Sequence, residues 1–185
     1  MEQPEITLDM RASALSNPNS WLYVIDPAFA PDEDVPPWGL VGAYPVDARG
    51  QIGDRFRPNL DYRPSPTALR MPPPANRLEK IIQLIHTRHR PQAALLPVLL
   101  DSTLLVYATT PTDRTIVGFP NSAGKIMIPA CTSTTHIPQS WPAWREIQGH
   151  DLAPLLNGHP LALNPDGPIT ALIPAERLGS RSFAR

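Results

Sequence analysis

The sequence predicts an α+β protein: an antiparallel or mixed sheet with helices packed on one side, preceded by a proline-rich N-terminal extension with short strands. Three observations carry this expectation. Leu, Ile, Val and Phe supply 45 of the 185 residues, about 24%, above the ~20% level below which a chain stays disordered. Short β-branched and aromatic runs recur along the chain among a few helical patterns. The 25 prolines, about 14% of the residues against an average of ~5%, forbid long uninterrupted helices and central strands, so short elements joined by stiff loops should follow.

Residues 1–20 are polar and weakly patterned and read as a flexible segment, closed by the turn-forming Asn17-Pro18-Asn19-Ser20. Order is expected to begin near Trp21. Trp21 to Ile25 and Trp38 to Val46 read as strands, separated by a solvent-facing loop at Pro31-Asp32-Glu33-Asp34. Asp47-Ala48-Arg49-Gly50 forms a tight turn into Gln51-Ile52, and Phe56 to Pro74, with six prolines, should be mostly extended. This proline-rich β extension spans residues 21–75 and is expected to pack on a main domain at 76–178, with a tail at 179–185.

The clearest helix starts at Asn76. Asn76 and Glu79 form an N-cap and capping-box-like pair, and Leu78, Ile81, Ile82 and Ile85 share one face. Arg88, His89 and Arg90 are expected in its last turn, where cations complement the helix dipole, with Pro91 ending it. A second helix should run from Pro91 through Leu100 with a kink or break at Pro97. Leu104 to Tyr107, Thr115 to Phe119 and Lys125 to Ile128 then read as strands, the last two joined by Asn121-Ser122-Ala123-Gly124. Gly149 to Leu156 is a short helix ended by Asn157-Gly158. Leu161 to Leu163 and Ile169 to Ile173 are strands, and Pro174 to Leu178 is a helical turn. A faint internal echo relates residues 40–52 to residues 116–126, each with a Val-Gly pair, an aromatic-proline pair and a glycine turn.

Sixteen basic and 17 acidic residues leave a net charge of −1, which disfavours nucleic acid and anionic lipid as partners. The start Met1-Glu2-Gln3-Pro4-Glu5 lacks a basic leader, and the longest apolar run, Ala93 to Leu100, is too short for a bilayer. A cytoplasmic protein without membrane insertion is expected. The single Cys131 suits a reducing compartment.

Cys131 with His136 is the most tempting reactive pair, because a thiolate needs a nearby base or cation. No histidine–carboxylate element surrounds it in sequence, and Cys131 to His136 lacks the closing arginine of a phosphate loop, so a buried structural cysteine is the better reading. Glu146, His150 and Asp151 lack the paired spacing of zinc sites. Asp32-Glu33-Asp34 lacks the further ligands of a calcium loop. The basic group His86, Arg88, His89 and Arg90 is explained by a helix end. No catalytic residue, metal or cofactor is therefore expected. Trp38, Trp141 and Trp144 stand beside prolines, in Pro36-Pro37-Trp38 and Trp141-Pro142-Ala143-Trp144, and rigid aromatic segments of this kind supply contact area at low entropic cost. They are the candidate protein-interaction residues.

The stretch from about Asn76 to Leu178 resembles the SseB-like domain. The likeness lies in Ala94-Leu95-Leu96, the Gly124 hairpin, Thr132-Ser133 after a strand, Gly149-His150-Asp151-Leu152-Ala153 and Leu163-Asn164-Pro165. With Pro37-Trp38-Gly39-Leu40-Val41-Gly42, Tyr62-Arg63-Pro64-Ser65-Pro66 and Trp141-Pro142-Ala143-Trp144, the chain from 21 to 178 is similar to actinobacterial type VII secretion system-associated proteins. The resemblance implies an α+β fold and a cytosolic accessory or regulatory role near a secretion apparatus, with no catalytic residues to carry over. It departs from the family at Cys131, where an aromatic residue is common, and at Thr109 to Arg114, where an acidic hairpin is usual.

Together these readings lead to a non-catalytic protein-binding module, acting as adaptor, chaperone or regulator on a secretion substrate or secretion component. The alternatives are an immunity-type inhibitor of a toxin and a cysteine-dependent enzyme using Cys131.

Overall fold

The computed structural model describes residues 3–30 and 34–179; the acidic cluster at Asp32 and Glu33 and the tail from residue 180 lie outside the described residues. The chain divides into two compact units, residues 1–72 with 87–89 and residues 73–86 with 90–185. The α+β expectation holds, with helices and antiparallel and mixed sheets along the chain.

In the first unit, helix α1 (Leu8–Ser16) is followed by an antiparallel sheet in the order β1 (Trp21–Ile25), β2 (Leu40–Pro45), β3 (Arg57–Pro58). Strand β1 has the expected bounds. Order begins ahead of Trp21, however, because Thr7 caps α1 by accepting the Met10 N–H at 3.3 Å. Only Ala14 of this helix is buried, so no apolar stripe signalled it in the sequence. The strand expected from Trp38 begins at Leu40, since Pro37–Gly39 make a 3-10 turn.

The proline-rich segment is wired down by one carboxylate. Buried Asp26 accepts the Tyr62 hydroxyl at 2.8 Å and the Ser65 and Ala28 N–H groups at 2.9 Å each. Burial alone would raise its pKa, but the hydrogen bonds, those of Ser65 foremost, hold it below the usual carboxylate range.

The internal echo has a local cause. Asp47 Oδ1 accepts the N–H groups of Arg49 and Gln51, and Asn121 Oδ1 accepts those of Ala123 and Lys125. Gly50 (φ +73°) and Gly124 (φ +75°) occupy the left-handed position of each turn. Two copies of one turn chemistry account for the likeness.

The second unit opens with α2 (Arg77–His86), capped as expected: Asn76 Oδ1 accepts the Glu79 N–H at 2.9 Å. The helix ends at His86, a turn before Pro91, because Arg88 takes a left-handed φ of +62° and the Arg90 N–H returns to the Leu84 carbonyl. Arg88, His89 and Arg90 therefore lie beyond it. Gln92–Ala94 form a 3-10 turn that leads into α3 (Leu95–Leu100). No break occurs at Pro97, which lies in the first turn of α3, where a helix has no partner for its N–H anyway.

The sheet of this unit runs β7-β4-β6-β8-β9, with β4 (Thr103–Ala108), β5 (Phe119–Pro120), β6 (Ile126–Cys131), β7 (Ala143–Gln148), β8 (Leu161–Leu163) and β9 (Ala171–Ile173). Strands β6 and β8 are parallel, the other pairs are antiparallel, and β5 pairs with the start of β6. The strand expected over Thr115 to Phe119 shrinks to β5. Strand β7 was not expected at all. Helix α4 (Gly149–Leu152) and a 3-10 turn over Ala153–Leu156 follow, ended by Asn157 and Gly158 at positive φ, and α5 (Ala175–Gly179) closes the unit.

Leu104, Val106, Ile128, Ala130, Leu161, Leu163 and Ile173 of the sheet meet Leu78, Ile82, Leu99, Leu152, Leu156 and Leu178 of the helical segments in one core. Because side chains alternate across a strand, the helices all occupy one face. The other face carries Leu105, Tyr107, Phe119, Met127, Cys131, Trp144 and Leu172 by register. No helix among the described residues is long and apolar enough to cross a membrane.

Candidate functional site

Cys131 ends β6 opposite Leu105, fully buried. Its thiol donates to the backbone carbonyl of His136 at 3.1 Å, not to the imidazole. Burial, with the Asp166 charge adding to it, pushes the thiol up to about 12. The imidazole instead faces Glu79, Nε2 to Oε1 at 3.4 Å. The thiol and the imidazole that the sequence suggested as a reactive pair thus have different partners, a backbone carbonyl and a carboxylate.

Glu79 is the hub of a buried polar network. Its Oε2 accepts the Ala75 N–H at 2.7 Å and its Oε1 the Thr132 hydroxyl at 2.8 Å. Thr132 gives its N–H to Asn164 Oδ1 at 2.9 Å and receives Asn164 Nδ2 at 3.0 Å, while Asn76 Nδ2 donates to the Thr132 carbonyl at 2.7 Å. Asn164 stands at φ +48°, a conformation asparagine tolerates. Burial works against the Glu79 charge, but hydrogen bonds from Ser133, Ala75 and Thr132 and the nearby His136 outweigh it and hold the carboxyl below its usual range. This network ties the start of α2 to the ends of β6 and β8, and every member is answered, which is how a buried carboxylate is tolerated.

The open face of the sheet has a different character. Tyr107 receives Phe119 edge-on at 5.0 Å and Trp141 edge-on at 5.7 Å. Trp144 lies directly across from Tyr107 on β7. Trp144 is 37% and Phe119 40% exposed, while Trp141 and Tyr107 are half-buried. An open depression of about 610 Å³ beside them is lined by Trp141, Trp144, Pro138, Pro142, Ile137 and Pro111. At the opposite edge, Leu172, Leu95, Leu96, Leu99 and Arg177 line an apolar groove of about 340 Å³.

The remaining candidates fall elsewhere. Trp38 is half-buried in the first unit, tilted on Phe29 at 5.5 Å and edge-on to His89 at 4.7 Å. His150 and Asp151 approach each other at 3.5 Å on the surface, and no cluster of metal-binding side chains exists among the described residues.

A family model described as the SseB protein N-terminal domain matches residues 78–180, more than half of the chain. The chain belongs to the SseB family. No curated protein and no solved structure matches it.

The matched SseB region spans the helix-backed sheet and contains the aromatic face and the Glu79, Thr132, His136 and Asn164 members of the polar network, while Ala75 and Asn76 lie just ahead of it. Sequence reasoning found Trp141 and Trp144 but missed Tyr107 and Phe119, which join them only through strand pairing. It also missed that Thr132 bonds to Glu79 and that Asn164 joins the network through Thr132. Their signals were that each follows the last apolar residue of a strand and that Thr132-Ser133 and Leu163-Asn164-Pro165 are among the words that carry the resemblance.

Proposed function

We propose that this SseB-family protein is a non-catalytic, cytoplasmic protein-binding module, an accessory to protein secretion that serves as adaptor, chaperone or regulator. The type VII setting follows from the resemblance of its front part. The reading is carried by one observation: opposite its helices the sheet presents a rigid aromatic patch of Trp144, Phe119, Tyr107 and Trp141, with two of the rings exposed. Aromatic anchors pre-set by neighbouring rings lose little entropy on docking, which is why such residues dominate protein interfaces. The thiol of Cys131, buried and held protonated, offers no activated nucleophile to compete with this reading.

Affinity capture from native cytosol with the full chain and with Trp144→Ala tests it. A stoichiometric protein should be retained by the natural chain and lost, or held about tenfold more weakly, by the variant. Repeated failure to recover any stoichiometric protein overturns the reading.

A further inference from the structure

We propose that β7 is a strand acceptor: an extended segment of a different protein adds to the sheet along Ala143–Gln148, with an apolar residue beside Trp144, a carboxylate opposite Arg145 and a cation opposite Glu146. This rests on the protein-binding reading above and names the partner's chemistry.

Strand β7 ends the sheet order and, among the described residues, pairs only with β4. Its register places Thr103 opposite Gln148 and Tyr107 opposite Trp144, and the Gly149 N–H donates to the Ser102 carbonyl at 2.9 Å. In an antiparallel ladder, residues of hydrogen-bonded pairs turn both backbone groups towards each other and those of the intervening pairs turn both away. The Ser102–Gly149 bond therefore assigns Ala143, Arg145 and Ile147 to β4. The N–H and C=O groups of Trp144, Glu146 and Gln148 point outward. Water solvates such a row in the free protein, and another extended chain can answer all of its alternating donors and acceptors at once.

The other edge is a poorer acceptor, since β9 spans only Ala171–Ile173 and short edge strands resist pairing. Along β7, by contrast, open depressions flank both ends. The apolar one holds Trp141 and Trp144. The polar one, about 380 Å³, is lined by Thr103, Arg114, Arg145, Glu146, Gln148 and Asp151.

Charge selects the occupant. Neither Arg145 nor Glu146 makes an ion pair among the described residues; Arg145 Nη2 donates to the Arg114 carbonyl at 2.9 Å, while its buried Nε–H has no acceptor, so the guanidinium charge has no carboxylate partner. A second copy of this chain answers neither. Antiparallel self-pairing centred on Arg145 or on Glu146 sets like charges directly opposite, which is destabilising. Centring on Trp144 places Pro142, which has no N–H, opposite Glu146. A foreign strand with the complementary pattern meets both charges, the carboxylate on the helix-backed face and the cation beside Trp144 on the open one.

The test uses the full chain and a capped hexapeptide with β-branched apolar residues, a carboxylate opposite Arg145 and an ammonium opposite Glu146, followed by amide exchange. The Trp144 and Glu146 amides should exchange fast in the free protein and slow on binding. N-methylation of the peptide residue facing Glu146, whose N–H would bond the edge, should weaken binding about tenfold. Methylation of its neighbour facing Arg145, whose N–H points away, should leave affinity unchanged. Glu146→Lys should prefer the peptide with the cation replaced by a carboxylate. Equal effects of the two methylations, or no binding of the parent peptide at millimolar concentration, overturn the proposal and leave Arg145 and Glu146 as guards of an edge that stays unpaired. Glu146→Pro, which removes an outward N–H, separates this from the broader reading. A cytosolic partner retained equally by that variant sinks strand addition while the protein-binding role stands.

Discussion

At the residue scale, Cys131 and Glu79 show how burial decides what a titratable group can do. Both are buried, yet only Glu79 keeps its charge, because Thr132, Ser133, Ala75 and His136 answer it, while the thiol has a single weak acceptor. With its thiol raised from 9.0 to about 12, Cys131 should hold about a thousandfold less thiolate than an exposed cysteine at neutral pH. Timed alkylation of the folded protein checks this, and labelling at the rate of a free thiol contradicts it. Glu79 makes the opposite forecast. Its folded pKa lies below the unfolded one, so its contribution is complete above the unfolded carboxyl value, about 4.3, and is lost as the pH falls through the lower folded value. At neutral pH, Glu79→Gln should lower unfolding stability by about 1–2 kcal/mol. The gap between the two proteins should close on acidification below that range, measured by urea unfolding at a series of pH values.

At the element scale, the corner between β7 and α4 depends on a glycine. A Cβ on Gly149 would lie 2.0 Å from the Leu99 carbonyl oxygen, a backbone atom that cannot rotate away. Gly149→Ala should therefore lower stability by about 3 kcal/mol, seen in thermal or urea unfolding. Gly158 offers the contrast: an added Cβ meets nothing within 4 Å, but its φ of +80° favours glycine, so alanine there should cost only about 1 kcal/mol. Strand β7 was illegible in the sequence for a related reason. Trp-Arg-Glu-Ile-Gln alternates weakly, its first residue reads as part of a rigid proline-flanked aromatic segment, and Gly149 directly after it reads as a helix start. Pairing with β4 along six residues overrides that local preference. Pro97 misled in the other direction, since its effect depends on where the helix starts.

At the scale of the whole molecule, the core of the second unit draws, among the described residues, on residues between 78 and 178, none of them in the 87–89 segment. A fragment of residues 73–185 should accordingly unfold in a single cooperative transition, followed by circular dichroism, and a broad featureless melt would show that its core is not self-sufficient. Patterns with short range were written in the chain itself: the α+β class, the Asn76 cap, the two Asx turns, the bounds of β1 and β8, and the proline-flanked Trp141 and Trp144. Each depends on neighbours a few residues away, where propensity and spacing act. What required tertiary structure was every relation across long separations. Pairing of β4 with β7 set Tyr107 beside Trp144, the meeting of α2, β6 and β8 gave Glu79 its partners, and the sheet order left β7 at an edge. Strand register and burial follow from how the entire chain packs, and no local stretch of sequence encodes them alone.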